Sequence, residues 1–216
     1  FPRFGSKIEI VNYCSAPGGE VASTMVGLTR LGSRTAYAGR FGGDEAGKAG
    51  LESLDGEGVD RTLAEIVDGA RTQVAFIVID EQSGERTNMW QRDARLAYTA
   101  DDAPVAGVER CRILHMTAHD TSACIRMAKA AGQKGVIVSL DIDNIFERTE
   151  ELLSVIDICI ASADFSQKLT GEKDNKTALR AIAKSFGCSV TGLTLGDAGS
   201  IVLCEGKFFE TPGFKV

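Results

Sequence analysis

The sequence predicts an α/β fold: a central, mostly parallel sheet flanked by helices, with a small β lid. Three observations predict it. From Arg112 onward, short apolar runs alternate with amphipathic stretches of helical period, the rhythm of parallel strands joined by crossover helices. Thr72–Asp80 and Arg86–Gln91, separated by Glu81-Gln82-Ser83-Gly84, read as a hairpin outside that rhythm. The length, 216 residues, suffices for one α/β domain with a full core.

Each element has its own signal. Lys7–Cys14 reads as a strand, and Ala16-Pro17-Gly18-Gly19 as a turn. Val21–Leu31 has helical spacing, and Gly32 stands where a C-cap glycine belongs. Arg34–Gly39 is a short strand, and Asp44 suits the N-cap of a helix over Glu45–Leu54 because its carboxylate accepts first-turn N–H groups. Beyond the hairpin, strands are expected at Ile113–Met116, Gly135–Asp141, Ile156–Ala161 and Ser189–Leu195. The intervening helices are Thr121–Ala131, Phe146–Leu153 and Lys176–Phe186. A second hairpin joins Ser200–Cys204 to Lys207–Glu210 across Glu205-Gly206. The expectation is one domain over residues 1–216 with helices on both faces of its sheet, and a lid built from about 7–14 and 72–91.

Composition narrows the partners. Net charge is −6, with both signs interspersed and no basic stripe, so nucleic acid is excluded as a partner. Apolar runs such as Val74–Ile79 are far too short to cross a bilayer, and no signal-peptide pattern opens the chain. The six cysteines, Cys14, Cys111, Cys124, Cys159, Cys188 and Cys204, show no C-x-x-C spacing and read as reduced core thiols of a cytoplasmic protein. Two histidines, His115 and His119, are too few for a His-based metal site, and no metal ligand set is assigned. Neither a G-x-G-x-x-G after a strand nor a Walker A motif is present.

Ala16-Pro-Gly-Gly-Glu-Val-Ala-Ser-Thr-Met-Val-Gly-Leu-Thr-Arg-Leu-Gly32 resembles the first signature of the PfkB, or ribokinase-like, carbohydrate kinases, and Tyr37-Ala-Gly-Arg-Phe-Gly-Gly-Asp-Glu-Ala-Gly47 and Gly58-Val59-Asp60 continue it in order. The resemblance implies a ribokinase-like fold and ATP-dependent phosphoryl transfer to a sugar, with Mg²⁺. Gly18 and Gly19 are expected to tolerate positive φ and to let the sugar approach a helix N-terminus. Where the family commonly has Asn, this chain has Ser23, which bears on which hydroxyls are read. The hairpin corresponds to the lid, through which relatives often dimerise, and Arg92 at its end is a candidate for a phosphate or carboxylate on the sugar.

On the nucleotide side, the resemblance points to Ser162 and Asp164, standing where most relatives have Asn-x-x-Glu, with Asp164 placed to reach Mg²⁺ through water. Ser162 is equally a helix N-cap. Asp141 and Asp143 lie at the C-terminal end of a parallel strand, where ligands bind in such sheets. Val190-Thr-Gly-Leu-Thr-Leu-Gly-Asp-Ala-Gly-Ser200 resembles the turn along the nucleotide, through Thr194, Gly196 and Gly199. The family's Gly-Ala-Gly-Asp signature, which carries the general base, is expected beyond Val216, and a first strand before Phe1. No catalytic residue is therefore assigned, and the 216-residue chain alone is expected to be inactive. Two alternatives stay open: a nucleoside or vitamin kinase of the same fold, and a non-catalytic sugar-binding regulator.

Overall fold

A computed structural model describes residues 4–214, and the chain divides into two compact units, Phe1–Ala97 and Tyr98–Val216.

In the first unit, α1 (Glu20–Arg30) leads to β1 (Ala36–Gly42), α2 (Glu45–Gly56) and β2 (Asp60–Val67), and β1 and β2 pair in parallel. The β2 strand was not foreseen, because Asp60–Val67 lacks clean alternation. Asp44 caps α2 as expected, its carboxylate accepting the Gly47 N–H at 2.9 Å. The same carboxylate accepts the backbone N–H of Thr72 at 2.9 Å and its hydroxyl at 2.6 Å, tying the helix to the chain that enters the hairpin. These three donors hold the Asp44 carboxyl below the usual range. Met25, Leu54 and Val59 form the small buried cluster under α1, with Tyr37 and Phe41 packed against it.

The predicted hairpin is present as β3 (Val74–Ile79) and β4 (Arg86–Gln91), antiparallel and exposed at every position. Phe76 is 66% and Trp90 56% exposed. Lys7–Cys14 is a correction: it forms no strand and is exposed throughout. Its alternating apolar side chains, Ile8 and Ile10 among them, pack against nothing that would fix an extended pairing.

The second unit holds β5 (Ile113–Thr117), α3 (Thr121–Gln133), β6 (Ile137–Ile142), α4 (Thr149–Leu153), β7 (Ile158–Ser162), α5 (Ala163–Thr170), α6 (Asn175–Phe186), β8 (Val190–Thr194), β9 (Ser200–Cys204) and β10 (Lys207–Thr211). They build one six-stranded sheet in the order β10-β9-β8-β7-β6-β5. β5 to β8 are parallel, and β9 and β10 close it antiparallel.

Because β5 to β8 step across the sheet in one direction, right-handed crossovers place α3 to α6 on the same face. Burial follows. Val138, Leu140 and Ile142 of β6 are buried with α3, α4 and α6 residues such as Ile125, Leu152 and Leu179, whereas Ile137, Ser139 and Asp141 on the opposite face are not. Within this unit, the expected two-sided cover is thus one-sided.

All six cysteines are free thiols. Burial pushes Cys159 up to about 12 and Cys188 up to about 11, so both stay protonated and inert. Cys14 departs from the core expectation, since it is exposed.

Candidate functional site

The C-terminal ends of β6, β7 and β8 come side by side, with Ser162 in register with Thr194. A parallel sheet presents its ligand site at this edge, because the chain turns there into helices whose free N–H groups point outward. Ser162 caps α5: its hydroxyl accepts the Phe165 N–H at 3.2 Å. The same oxygen lies 3.5 Å from the carbonyl of Asp143, bringing the loop after β6 against the start of α5. Phe165 is fully buried, so the residue standing where relatives carry a carboxylate anchors the helix into the core.

A cleft of about 600 Å³ opens here, lined by Asp143, Ser162, Asp164, Lys168, Asn175 and Thr194 with Leu195 and Ala198 of the turn after β8. Three of the residues singled out from sequence, Ser162, Asp164 and Thr194, therefore share one cavity. Asp143 joins them. Asp141 does not: it lies half-buried on the strand, where burial raises its carboxyl against the opposing pull of His115. The imidazole of His115 is in turn pushed down by burial, and its Nδ1 lies 3.1 Å from the Ser139 hydroxyl.

Gly196 and Gly199 take positive φ, 57° and 91°, but neither lines the cleft. Gly199 has a packing reason to lack a side chain: a Cβ there would fall 1.9 Å from the carbonyl oxygen of Thr211. The same turn is where the sequence reading expects the nucleotide to lie.

Sequence reasoning missed Lys168 and Asn175. The available signal was helical spacing: Lys168 follows Asp164 by four residues, which puts both on one face of α5. Asn175 opens α6 next to its cap Asp174, a position set by tertiary contact and invisible to local pattern.

The four sugar-side candidates all lie in the first unit. Gly19 is the N-cap of α1 at φ 106°, and its carbonyl accepts the Ser23 N–H at 2.8 Å. Gly18, also expected to tolerate positive φ, does not adopt it here. Ser23 is exposed on the first turns of α1. Arg92 is half-buried, donates to the Leu96 carbonyl at 3.4 Å, and lies close enough to the Tyr37 phenol to offset part of the upward shift that burial causes there.

An open, mostly parallel sheet with polar and acidic side chains gathered at the C-terminal ends of its strands places the chain among the α/β proteins that bind ligands at that edge. The family profile of the pfkB family carbohydrate kinases matches residues 3–216, and the chain belongs to that family. It is 28% identical to the ribokinase of Haemophilus influenzae over 225 residues, covering all of this chain and 72% of the relative. It is 31% identical to fructokinase-1 of Zea mays over 149 residues, 63% of this chain and 44% of the relative. The match thus spans less than half the length of that fructokinase. The ribokinase of Arabidopsis thaliana, solved with ribose and ATP, shares the fold at a TM-score of 0.77 and 24% identity, over 98% of this chain and 72% of that one.

Proposed function

We propose that the protein is an ATP-dependent carbohydrate kinase, transferring the terminal phosphoryl group of ATP to a sugar hydroxyl. The observation that carries this reading is the cleft at the ends of β6, β7 and β8, where Asp143, Ser162, Asp164, Lys168 and Thr194 converge. Family membership and the names of the relatives, ribokinase and fructokinase, support a sugar as acceptor.

The donor set fits Mg²⁺ carried by a nucleotide. Among the described residues no group of three or more His, Cys, Asp or Glu side chains could hold a metal. The cleft instead offers two exposed carboxylates, Asp143 and Asp164. That suits an ion whose other ligands are phosphate oxygens and water. When bound, Mg²⁺ supplies neutralisation of phosphate charge. Asp143 and Asp164 would face it, the Ser162 hydroxyl would hold the Asp143 loop in place, and Thr194 would donate a hydrogen bond to the nucleotide. Gly196 and Gly199 shape the turn that carries Thr194.

Gly18, Gly19 and Ser23 are proposed to hold the sugar, Arg92 to read an anionic or hydroxyl-rich end of it, and the β3–β4 hairpin to close over it and exclude water. The exposed apolar hairpin also supports a homodimer formed through the lid. The two units would then work as one ribokinase-like domain. The general base would lie in a Gly-Ala-Gly-Asp segment outside residues 1–216. Free thiols throughout, and no described helix long and apolar enough to span a membrane, support a cytoplasmic setting.

The test is ADP release by the full-length protein from Mg·ATP with a panel of aldoses, ketoses, sugar acids and nucleosides. Sugar-dependent ADP is the expected result. Nucleotide binding with no ADP from any acceptor would replace the kinase by a regulator, and turnover of nucleosides alone would replace the sugar.

A further inference from the structure

We infer that Lys168 is a phosphate-binding residue of the cleft, an inference that rests on the nucleotide reading above. Among the described residues, Lys168 is the one cation lining the cavity, beside two carboxylates, Asp143 and Asp164. None of the three is in an ion pair, and none of their side-chain atoms makes a hydrogen bond, among the described residues. Several cations elsewhere in the unit do find partners. Lys129 and Arg148 both meet Glu151, at 3.1 Å and 2.7 Å, and Lys176 meets Glu210 at 2.7 Å.

The arrangement discriminates between ligands. A free phosphate chain would meet two aspartates and be repelled; a free cation would meet the lysine. A phosphate chain carrying a divalent ion answers both, its metal towards Asp143 and Asp164 and its uncovered oxygens towards the ammonium. The placement of Lys168 is also set by the fold. It lies one helical turn beyond Asp164 on α5. That helix is fixed at its start by the Ser162 cap and held in the core by Phe165 and Ser166, both buried. A flexible side chain thus stands on a rigid base, across a cavity that Leu195 and Ala198 also line.

The experiment is titration of a fluorescent ATP analogue into the full-length protein, with Mg²⁺ and with EDTA, for wild type, Lys168→Ala, Lys168→Arg and Lys184→Ala. Lys184 is an exposed cation of α6 outside this cleft and controls for lost charge in general. Expected is a roughly tenfold weaker Kd for Lys168→Ala in Mg²⁺, the loss of one charge-assisted hydrogen bond, with much of the affinity kept in Lys168→Arg and unchanged binding in Lys184→Ala. In EDTA the wild type is expected to bind far more weakly. Equal affinity of Lys168→Ala and wild type would overturn the role of Lys168, as would equal losses in Lys168→Ala and Lys184→Ala. No nucleotide binding by the wild type would overturn the kinase reading and the inference together. Unchanged thermal midpoints show that each variant is folded.

Discussion

The two units spend their apolar residues differently. Tyr98–Val216 gathers them into one core beneath a six-stranded sheet, with Phe165, Leu140, Leu152 and Leu179 all at 0% exposure. Phe1–Ala97 has three residues in its buried cluster and leaves Phe76, Ile77, Met89 and Trp90 on a hairpin open to solvent. The first arrangement stabilises itself; a lone two-stranded hairpin gains little by folding alone. Exposed apolar surface on that scale suits an element that closes on something else. Under the proposed function the packed unit would position the phosphates and the exposed hairpin would cover the acceptor.

The sharpest break of this contrast compares Phe165→Ala with Trp90→Ser. The first empties a fully buried site and is expected to cost about 3–5 kcal/mol in urea unfolding followed by circular dichroism. The second is expected to stay within about 0.5 kcal/mol, as an exposed position should. Similar costs would mean that the hairpin is packed in solution. Trp90, the sole tryptophan, offers a further check: its emission should be red and quenchable in dilute protein, and should shift to the blue on dimerisation.

Next in size is a pair within the turn after β8. Gly199→Ala places a Cβ on the Thr211 carbonyl and is expected to cost more than about 2 kcal/mol. Gly196→Ala meets no atom within 4 Å and carries only the left-handed penalty, about 1 kcal/mol. Thermal denaturation ranks the two, and a reversed order would refute the packing role assigned to Gly199.

In the first unit, Asp44→Ala removes a helix cap and strands two Thr72 donors, an expected loss of about 1–2 kcal/mol. Its pH dependence has a definite sign. The folded carboxyl is held below its ordinary value, so its stabilisation is full above the usual carboxylate range and is lost as pH falls through the depressed folded value. The difference in thermal midpoint between wild type and Asp44→Ala should be flat near neutrality and shrink below about pH 4. A difference that grew on acidification would show that the carboxylate is not what the cap uses.

Smallest is Ser162→Ala, an N-cap loss of about 1 kcal/mol that should also weaken nucleotide binding, because the same hydroxyl faces the Asp143 loop. Lost stability with unchanged nucleotide affinity would leave Ser162 a cap alone.

How much of this was legible from sequence depended on whether the signal was local. The Asp44 cap, the hairpin and the strand–helix alternation after Arg112 were readable because each is written in adjacent residues. Lys7–Cys14 misled for the same reason: alternation marks what could pair, and pairing needs a neighbour. One-sided helix cover follows from strand order, which no local pattern states. At the site, Ser162, Asp164 and Thr194 were found through family motifs, whereas Lys168 and Asn175 enter only because the fold brings α5 and α6 to the same cavity. The packing demand on Gly199 was not legible, since the atoms it must avoid lie a strand away.

The central claim is that Tyr98–Val216 holds the nucleotide at the ends of β6, β7 and β8. Hydrogen–deuterium exchange of the full-length protein, with and without Mg·ATP, tests it most directly. The account predicts slowed exchange at 143–146, 162–168 and 194–198, with the buried strands already protected in both states. Protection that appeared elsewhere and left those three segments unchanged would contradict it.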